Sequence, residues 1–281
     1  VYPIAKNFLP KQLTSAAMFQ RISWQGMFIW IQLAVFLAGF AASAQSTNPP
    51  GPGEFAIRAK REFVEARSRY QTNSNDVEAA WLFARACFDL GEFARNNSER
   101  AEVAETGIAV SRKLVSQHPN SVEGRYYLAM NMGQLARTKT LGALRLVDLM
   151  EVEFNAARKL NEKFDYAGPW RNLGLLYLEA PAFGSIGSRS KARQHLRRAV
   201  ELAPNYPENR LILTEAYLRW GDEAAAAREF KTLAAGWAQA KTNFSGDKWV
   251  MSWIDWQKRY DVLKGKLGDA ALKLETPKSE R

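Results

Sequence analysis

The chain has 281 residues, of which 47% are apolar and 24% charged, and its formal net charge is +10. That composition is typical of a globular protein of one or two domains with a large core. A single cysteine and two histidines exclude an internal disulfide and a four-cysteine metal site. They also leave little material for a His-rich metal centre or a Ser-His-Asp relay. We therefore predict a protein that is not an enzyme and that holds no metal and no cofactor.

Residues 18–44 have the pattern of a secretory signal peptide. A basic residue precedes an apolar stretch at residues 27–40, and the small residues at 42–44 form a cleavage pattern. We expect cleavage after Ala44, which removes the signal peptide at residues 18–44. Residues 1–17, which precede it, are likewise not expected in the mature protein. The mature protein is then periplasmic or secreted. The alternative is an uncleaved N-terminal helix that anchors the protein to the membrane. A basic exported protein can also associate peripherally with an anionic membrane.

Residues 45–54 are rich in Pro and Gly and are expected to form a linker. From residue 55 onward, apolar residues recur with the period of an α-helix, and no convincing strand pattern is present. The first predicted helix has one apolar face, formed by Phe55, Ala59, Phe63, Ala66 and Tyr70. The chain is thus predicted to be all-α.

The sequence also has a second, longer repeat in addition to the helical period. Ala192, Leu196 and Ala199 recur 34 residues later as Ala226, Phe230 and Leu233. A 34-residue period of helix pairs is typical of tetratricopeptide repeats, whose first helix has the pattern W-x2-L-G-x2-Y. The chain matches that pattern at Trp170, Leu173, Gly174 and Tyr177, and Pro204 ends the unit. Gly174 is expected to let the two helices of its pair approach closely.

The fold predicted from this period is a tetratricopeptide-repeat solenoid of about four helix pairs at residues 55–235. An N-terminal helix and a C-terminal capping helix complete it. The last two units match the repeat pattern well. The first two, which begin near Trp81 and Val122, are degenerate.

Aromatic residues recur along residues 236–268. The spacing of Trp249, Trp253, Trp256, Tyr260 and Leu263 places them on one helix face. Such a stripe can stack sugars or bases. Beside a terminal repeat we instead predict a capping helix, because a solenoid has to cover its last core surface. Residues 269–281 are expected to form a flexible tail.

The connection between the two helices of the third unit is unusually long. It carries about six residues more than the 34-residue pattern requires, and the first two units carry longer additions at the same corner. Insertions at one corner of successive repeats would gather along one edge of the solenoid, where such proteins often bind. This predicts a binding rim that includes Pro181, Phe183 and Ile186. A tolerated surface loop explains the same sequence equally well.

A basic run follows this loop. Arg189, Arg193 and Arg197 share one helix face, which is typical of a solvated outer surface. Surfaces that bind nucleic acid intersperse aromatic residues with basic ones, and that pattern is absent here. We predict no nucleic-acid partner.

The first helix of each tetratricopeptide pair lines the inner surface of the solenoid. The matching positions in this chain are Tyr126, Met130, Arg171, Leu175, Leu178, Leu211, Glu215 and Leu218. Most are apolar or aromatic, and exposed apolar surface of that extent is normally hidden or used. The chain can hide it by closing the solenoid with its first helix and the rim insertions. It can instead use it as an apolar channel, in which Arg171 holds the carboxylate of a ligand. The sequence leaves both interpretations open.

Three stretches of the sequence resemble the T component of TRAP-type transporters. They are residues 126–133 (YYLAMNMG), residues 150–181, and the run SKARQHLRRAVELAPNYPEN that begins at Ser190. The resemblance, which covers roughly residues 75–235, implies an exported tetratricopeptide protein with elongated helix pairs and an apolar cavity. It also implies a periplasmic solute-binding protein as partner. The chain departs from that family because no cysteine lies near the expected cleavage site, which excludes a lipoprotein anchor there.

The sequence therefore predicts an exported binding module that acts with a periplasmic protein such as a solute-binding protein. It can carry an apolar or organic-acid ligand in a helical cavity. The alternative is a cell-envelope scaffold that binds a protein segment and no small ligand.

Overall fold

The computed structural model describes residues 52–139 and 142–273. The predicted signal peptide and the residues before it lie outside the described residues, as do most of the predicted linker and the tail from residue 274. Within the described ranges there is no strand, and no helix is long and apolar enough to cross a membrane.

The described residues form ten α-helices and one 3-10 helix. The α-helices are α1 (Pro52–Thr72), α2 (Val77–Glu92), α3 (Asn97–Gln117), α4 (Val122–Ala136), α5 (Ala143–Leu160), α6 (Phe164–Glu179), α7 (Arg189–Leu202), α8 (Pro207–Arg219), α9 (Glu223–Asn243) and α10 (Val250–Lys273). The 3-10 helix (Asp247–Trp249) directly precedes α10.

The helices pack as four pairs stacked in chain order. Helix α2 packs with α3, α4 with α5, α6 with α7, and α8 with α9, and each pair packs on the next. At the two ends, α1 packs on α2, and α10 packs on α9 and α8. This confirms the predicted all-α solenoid of four helix pairs with an additional helix at each end.

Polar side chains explain where five of the helices begin. The residue just before the helix accepts the backbone N–H three residues further on at Asp76, Asn96, Ser121, Ser188 and Asp222. Such a cap supplies a partner to an amide that the helix itself cannot satisfy, and it is worth about 1 kcal/mol.

Helix α1 begins earlier than the sequence analysis predicts. Its first residue is Pro52, inside the segment predicted as a linker at residues 45–54. Proline is favourable at the first helical position, because its missing N–H would have no helical partner there. The five predicted apolar positions of this helix are all buried or half-buried.

The extra residues of the first unit lengthen a helix rather than a loop. The connection between α2 and α3 is only residues 93–96, and α3 has 21 residues. Only the connection between α6 and α7, at residues 180–188, is a long loop among the corners that the structure describes in full. The first of the three expected insertions therefore continues a helix, where each added residue makes one hydrogen bond. The corner of the second unit, at residues 137–142, is described only in part, and its place in a binding rim stays a prediction.

The C-terminal end also extends beyond the predicted bounds. Helix α9 reaches Asn243, past the predicted solenoid end at residue 235, and the cap is α10 rather than residues 236–268. Trp237 of α9 stacks on Tyr260 of α10 with their ring centroids 4.2 Å apart. Trp256 is completely buried. The aromatic stripe thus packs inward, as predicted for a capping helix.

The core consists of two apolar clusters. Side chains of helices α2 to α6 form most of the first cluster, and side chains of helices α7 to α10 form the second. Leu175 and Leu178 of α6 pack against both clusters. At the predicted close approach of α6 and α7, a Cβ on Gly174 would lie 2.6 Å from Leu196 Cδ2. Only glycine permits that contact.

Candidate functional site

Buried hydrogen bonds join the first helices of successive pairs. Between α2 and α4, Asn131 Nδ2 donates to the carbonyl of Ala84 at 2.9 Å. Between α4 and α6, Asn172 Nδ2 donates to the Tyr126 hydroxyl at 2.8 Å. An interior polar group that loses its partner costs about 1–3 kcal/mol. These bonds therefore fix how one repeat is placed on the next.

Helix α6 contains a turn of the opposite hand near its start. Asp165, Tyr166 and Ala167 have φ angles of 57°, 51° and 63°. For L-amino acids this left-handed region costs roughly 1–2 kcal/mol per residue. Such strain persists only where the surrounding structure holds it in place.

Two side chains from neighbouring repeats hold this turn. The Arg171 guanidinium donates to the carbonyl oxygens of Asp165 at 3.4 Å and Tyr166 at 3.2 Å. Asn209 of α8 donates through Nδ2 to the same Tyr166 carbonyl at 3.0 Å, and it accepts from Arg171 Nη1 at 2.9 Å. The Tyr166 ring stacks on Tyr206, with the centroids 4.4 Å apart. The turn thus joins the third repeat to the fourth.

An ion pair is buried at the same place. Arg171 Nη2 lies 3.1 Å from Asp165 Oδ2, and the Tyr126 hydroxyl donates to that oxygen at 2.7 Å. Burial raises the pKa of Asp165 well above its ordinary value, and attraction to Arg171 is the largest opposing effect. Burial is the largest influence on the pKa of Arg171 and lowers it, but Asp165, Tyr126, Tyr206 and Glu208 together outweigh burial and the net shift is upward. We call Tyr126, Asp165, Arg171, Asn172 and Asn209 the buried polar cluster.

A second charged group fixes the capping helix. Arg259 Nη1 lies 2.9 Å from both carboxylate oxygens of Glu208, and Arg259 Nη2 lies 2.7 Å from Glu215 Oε2. The Trp256 indole also donates to Glu208, at 2.8 Å. Burial raises the pKa of Glu208 to about 7, with Arg259 as the main opposing influence. We call Glu208, Glu215, Asp255, Trp256 and Arg259 the cap clamp.

The predicted inner-face residues fall into two groups. Tyr126, Met130, Arg171 and Leu211 are buried, whereas Leu175, Leu178, Glu215 and Leu218 are half-buried. Arg171 has a carboxylate partner within the chain, and Glu215 belongs to the cap clamp. These positions therefore take part in internal contacts. Their role in holding a ligand or partner stays a prediction.

Helix α1 reaches both ends of the solenoid. Phe63 and Tyr70 pack against Phe83 of α2, with ring centroids 5.4 and 5.5 Å apart. Toward the other end of α1, Arg58 Nη1 donates to the carbonyl of Asp247, just before the cap, at 3.3 Å. This single exposed hydrogen bond is compatible with closure by the first helix, which stays a prediction.

The three predicted rim residues differ in their surroundings. Phe183 is 97% exposed at the tip of the α6–α7 loop. Ile186 packs against the first core cluster, and Pro181 is half-buried. The Gly187 N–H donates to the Pro181 carbonyl at 3.0 Å, which closes the base of the loop. The loop is therefore anchored by its apolar base and displays Phe183.

Several residues of the two clusters were not singled out by the sequence analysis. Asp165 and Arg171 are six positions apart, a spacing that does not share a helix face. Only the left-handed turn brings them together. Glu208 and Glu215, by contrast, are seven positions apart in α8, a spacing that places them on one helix face. That pattern is a signal that could have found the cap clamp.

Side chains suited to metal chemistry are not gathered in the described part of the chain. No group of three or more His, Cys, Asp or Glu residues is placed there to hold a metal ion. Cys87 is buried, and burial raises the pKa of its thiol to about 12. Because the thiolate is the nucleophile, this side chain is unsuited to reaction at neutral pH.

Comparison with known proteins shows the fold. No protein-family model and no curated protein matches the chain. Among solved structures, the chain is similar to a thermophilic tetratricopeptide-repeat protein of Thermus thermophilus. The TM-score is 0.55 at 21% sequence identity, over 75% of this chain and 93% of that one. The fold is therefore tetratricopeptide-like.

Proposed function

We propose that this chain is an exported protein-binding module that works with a periplasmic partner, such as the solute-binding protein of a transport system. Export rests on the signal pattern at residues 18–44. The partner rests on the resemblance of residues 75–235 to the T component of TRAP-type transporters. The fold supports the general role, because stacked helical repeats present extended surfaces to other proteins.

One observation favours protein binding over small-ligand transport. The Arg171 guanidinium, the cation expected to hold a ligand carboxylate, is 4% exposed and paired with Asp165. A ligand carboxylate at this position would have to displace an internal one. A protein partner needs no such exchange, because it can use the outer surface and the edges of the solenoid.

Cross-linking in the native cell envelope, followed by purification of this chain, tests the proposal. We expect recovery of one solute-binding protein in a stable ratio, and N-terminal sequencing of the purified chain should begin at Gln45. Recovery of the chain alone after cross-linking would contradict the partner. An intact apolar stretch at residues 27–40 in the membrane fraction would favour the anchored form.

A second candidate function is the transport of an organic acid. It is favoured by Leu175 and Leu178, which lie one and two helical turns from Arg171 and are only half-buried, so that they leave some apolar surface for a ligand. In this function, Leu175→Asp and Arg171→Ala leave the protein folded, and binding of a fluorescent fatty acid falls. If Leu175→Asp unfolds the protein and Arg171→Ala changes no binding, the ligand cavity does not exist.

A further inference from the structure

The α6–α7 loop displays an aromatic side chain that the fold does not use. Phe183 is 97% exposed, although burying a Phe side chain typically gains about 1.5–3 kcal/mol. The loop around it is tied down, since Ile186 packs in the core and the Gly187 N–H bonds to the Pro181 carbonyl. A Cβ on Gly187 would lie 2.1 Å from the Ala180 carbonyl oxygen, so that tight base requires glycine. Phe183 is therefore held outward by a structured base.

Basic side chains surround this loop. Arg189 and Lys191, in the first turn of α7, are exposed. Arg189 lies over the Trp220 ring, 5.5 Å from its centroid, and donates to the Trp220 carbonyl. The preceding corner, between α4 and α5, carries the exposed Lys139 and Arg145, but the exposed Glu105 and Asp148 stand beside them.

Two carboxylates beside the loop are less exposed than Lys191. Glu151 is 24% exposed and lies 3.7 Å from Lys191. Glu179 is 23% exposed and bonds to Arg219. The side chain of Lys191, by contrast, is 54% exposed. The positive charge beside Phe183 therefore comes from Arg189 and Lys191.

We propose that this surface docks on an anionic lipid membrane, with Phe183 entering the interface between headgroups and acyl chains. We call Phe183, Arg189 and Lys191 the docking surface. An aromatic ring at the headgroup level and basic side chains beside it are the chemistry that such a membrane recognises. Charge complementarity selects this partner: Arg189 and Lys191 are placed to meet lipid phosphates, while the single ring needs only a shallow apolar layer.

Attraction of this kind is modest and depends on salt. Each basic residue near an anionic surface contributes about a fivefold gain in binding. The attraction is screened over a Debye length of about 8 Å at physiological salt. The membrane contact is accordingly reversible. It is independent of the partner proposed above, because it uses one edge of the solenoid only.

A dye at position 183 of the full chain tests the docking surface. Phe183→Cys is labelled with an environment-sensitive fluorophore, while the native Cys87 is buried and protected. The matched control is Ile57→Cys on α1, where the native side chain is 70% exposed. Because the probe reports its own position, vesicle binding through the N-terminal apolar segment does not produce the signal.

We expect a blue shift at position 183 with vesicles of phosphatidylglycerol and phosphatidylcholine, and none with phosphatidylcholine alone. The combined change Arg189→Gln and Lys191→Gln should weaken this binding about 20-fold. The control pair Arg112→Gln and Lys159→Gln, exposed at the opposite corners, should leave it within about twofold.

Three results would overturn the proposal. They are no shift at position 183 with anionic vesicles, an equal shift at position 57, or an equal effect of the two charge pairs. If the dye at 183 stays in water with vesicles and is shielded by a protein that co-purifies with the chain, the loop is a protein contact instead.

Discussion

Arg171 is buried away from water, and its side chain bonds instead to groups inside the protein. Its guanidinium leaves water and gains an internal carboxylate, two backbone carbonyls and the amide of Asn209. The carboxylate and both carbonyls belong to the left-handed turn, so the same side chain neutralises a buried charge and holds a strained backbone. A buried ion pair is weak evidence of net stability, but removing one partner is costly.

Arg171→Met should lower the free energy of unfolding by about 3 kcal/mol or more, because Asp165 loses its counter-ion in the interior. Urea denaturation followed by circular dichroism measures the change. Arg219→Met, which breaks the exposed pair with Glu179, is the control and should cost less than about 1 kcal/mol. Equal losses in the two variants would show that the buried Arg171 pair contributes no more to stability than the exposed Arg219 pair.

Asp89 makes stability depend on pH. Its side chain is 20% exposed and lies 3.5 Å from Arg85. Burial raises its pKa from 3.8 to about 7, with Arg85 as the main opposing influence. The folded protein thus holds this proton more tightly than the unfolded chain. The associated stability is present at low pH and is lost as the pH rises toward 7.

The stability of the parent protein should therefore fall between about pH 5 and pH 8, with about 2 kcal/mol of the fall due to Asp89. Asp89→Asn cannot titrate and should show a correspondingly smaller fall. Urea midpoints at the two pH values measure this difference, with the exposed Asp148→Asn as control. An Asp89→Asn variant that follows the parent curve would contradict the assignment.

Gly168 is the residue with the least room beside the buried polar cluster. A Cβ there would lie 2.5 Å from Asp165 Oδ2 and 2.7 Å from the Tyr126 hydroxyl. Gly168→Ala should cost about 1–3 kcal/mol through this overpacking. Gly236→Ala, in the interior of α9 with no atom within 4 Å, should instead gain up to about 1 kcal/mol. Thermal melts of the two variants should shift in opposite directions.

At the scale of elements, the repeat pattern located the helices better than their ends. Apolar spacing at residues 170–204 predicted α6 and α7, and aromatic spacing predicted α10. The predicted helix ends were wrong where one residue type is typical of two structures. Pro52, for example, lies in a Pro/Gly segment that predicts a linker, but proline is also favourable as the first residue of a helix. The extra residues of the first unit were predicted to form a loop, although they continue helix α3.

The buried polar cluster could not be predicted from local patterns. Three successive non-glycine residues in the left-handed region contradict the intrinsic preference of each. Besides Arg171 of the same helix, the partners that hold them are Tyr126 of α4 and Asn209 of α8, which are distant in sequence. Tertiary contacts therefore override local propensity at the turn, and the Asp165–Arg171 pair exists only because of it.

The capping helix should open before the rest of the molecule. Trp256→Ala removes a completely buried ring and leaves Glu208 without its indole donor. We expect a loss of about 3–5 kcal/mol. Amide hydrogen exchange should accelerate in α8, α9 and α10 and stay unchanged in α2 to α4, since the buried side chains of α2 to α4 belong to the other core cluster. Uniform acceleration along the whole chain would indicate one cooperative unit.

For the molecule as a whole, the contacts of α1 limit the number of repeats that the chain can hold. An open stack of repeats accepts duplication or deletion of a unit, because each unit touches only its neighbours. Here a helix of 21 residues, about 32 Å long, reaches from α2 to Asp247. One more helix pair would move the far end by about 10 Å, beyond the reach of Arg58. The length of helix α1 thus matches the distance between α2 and Asp247. After an in-frame duplication of one repeat, α1 would be too short to span that distance.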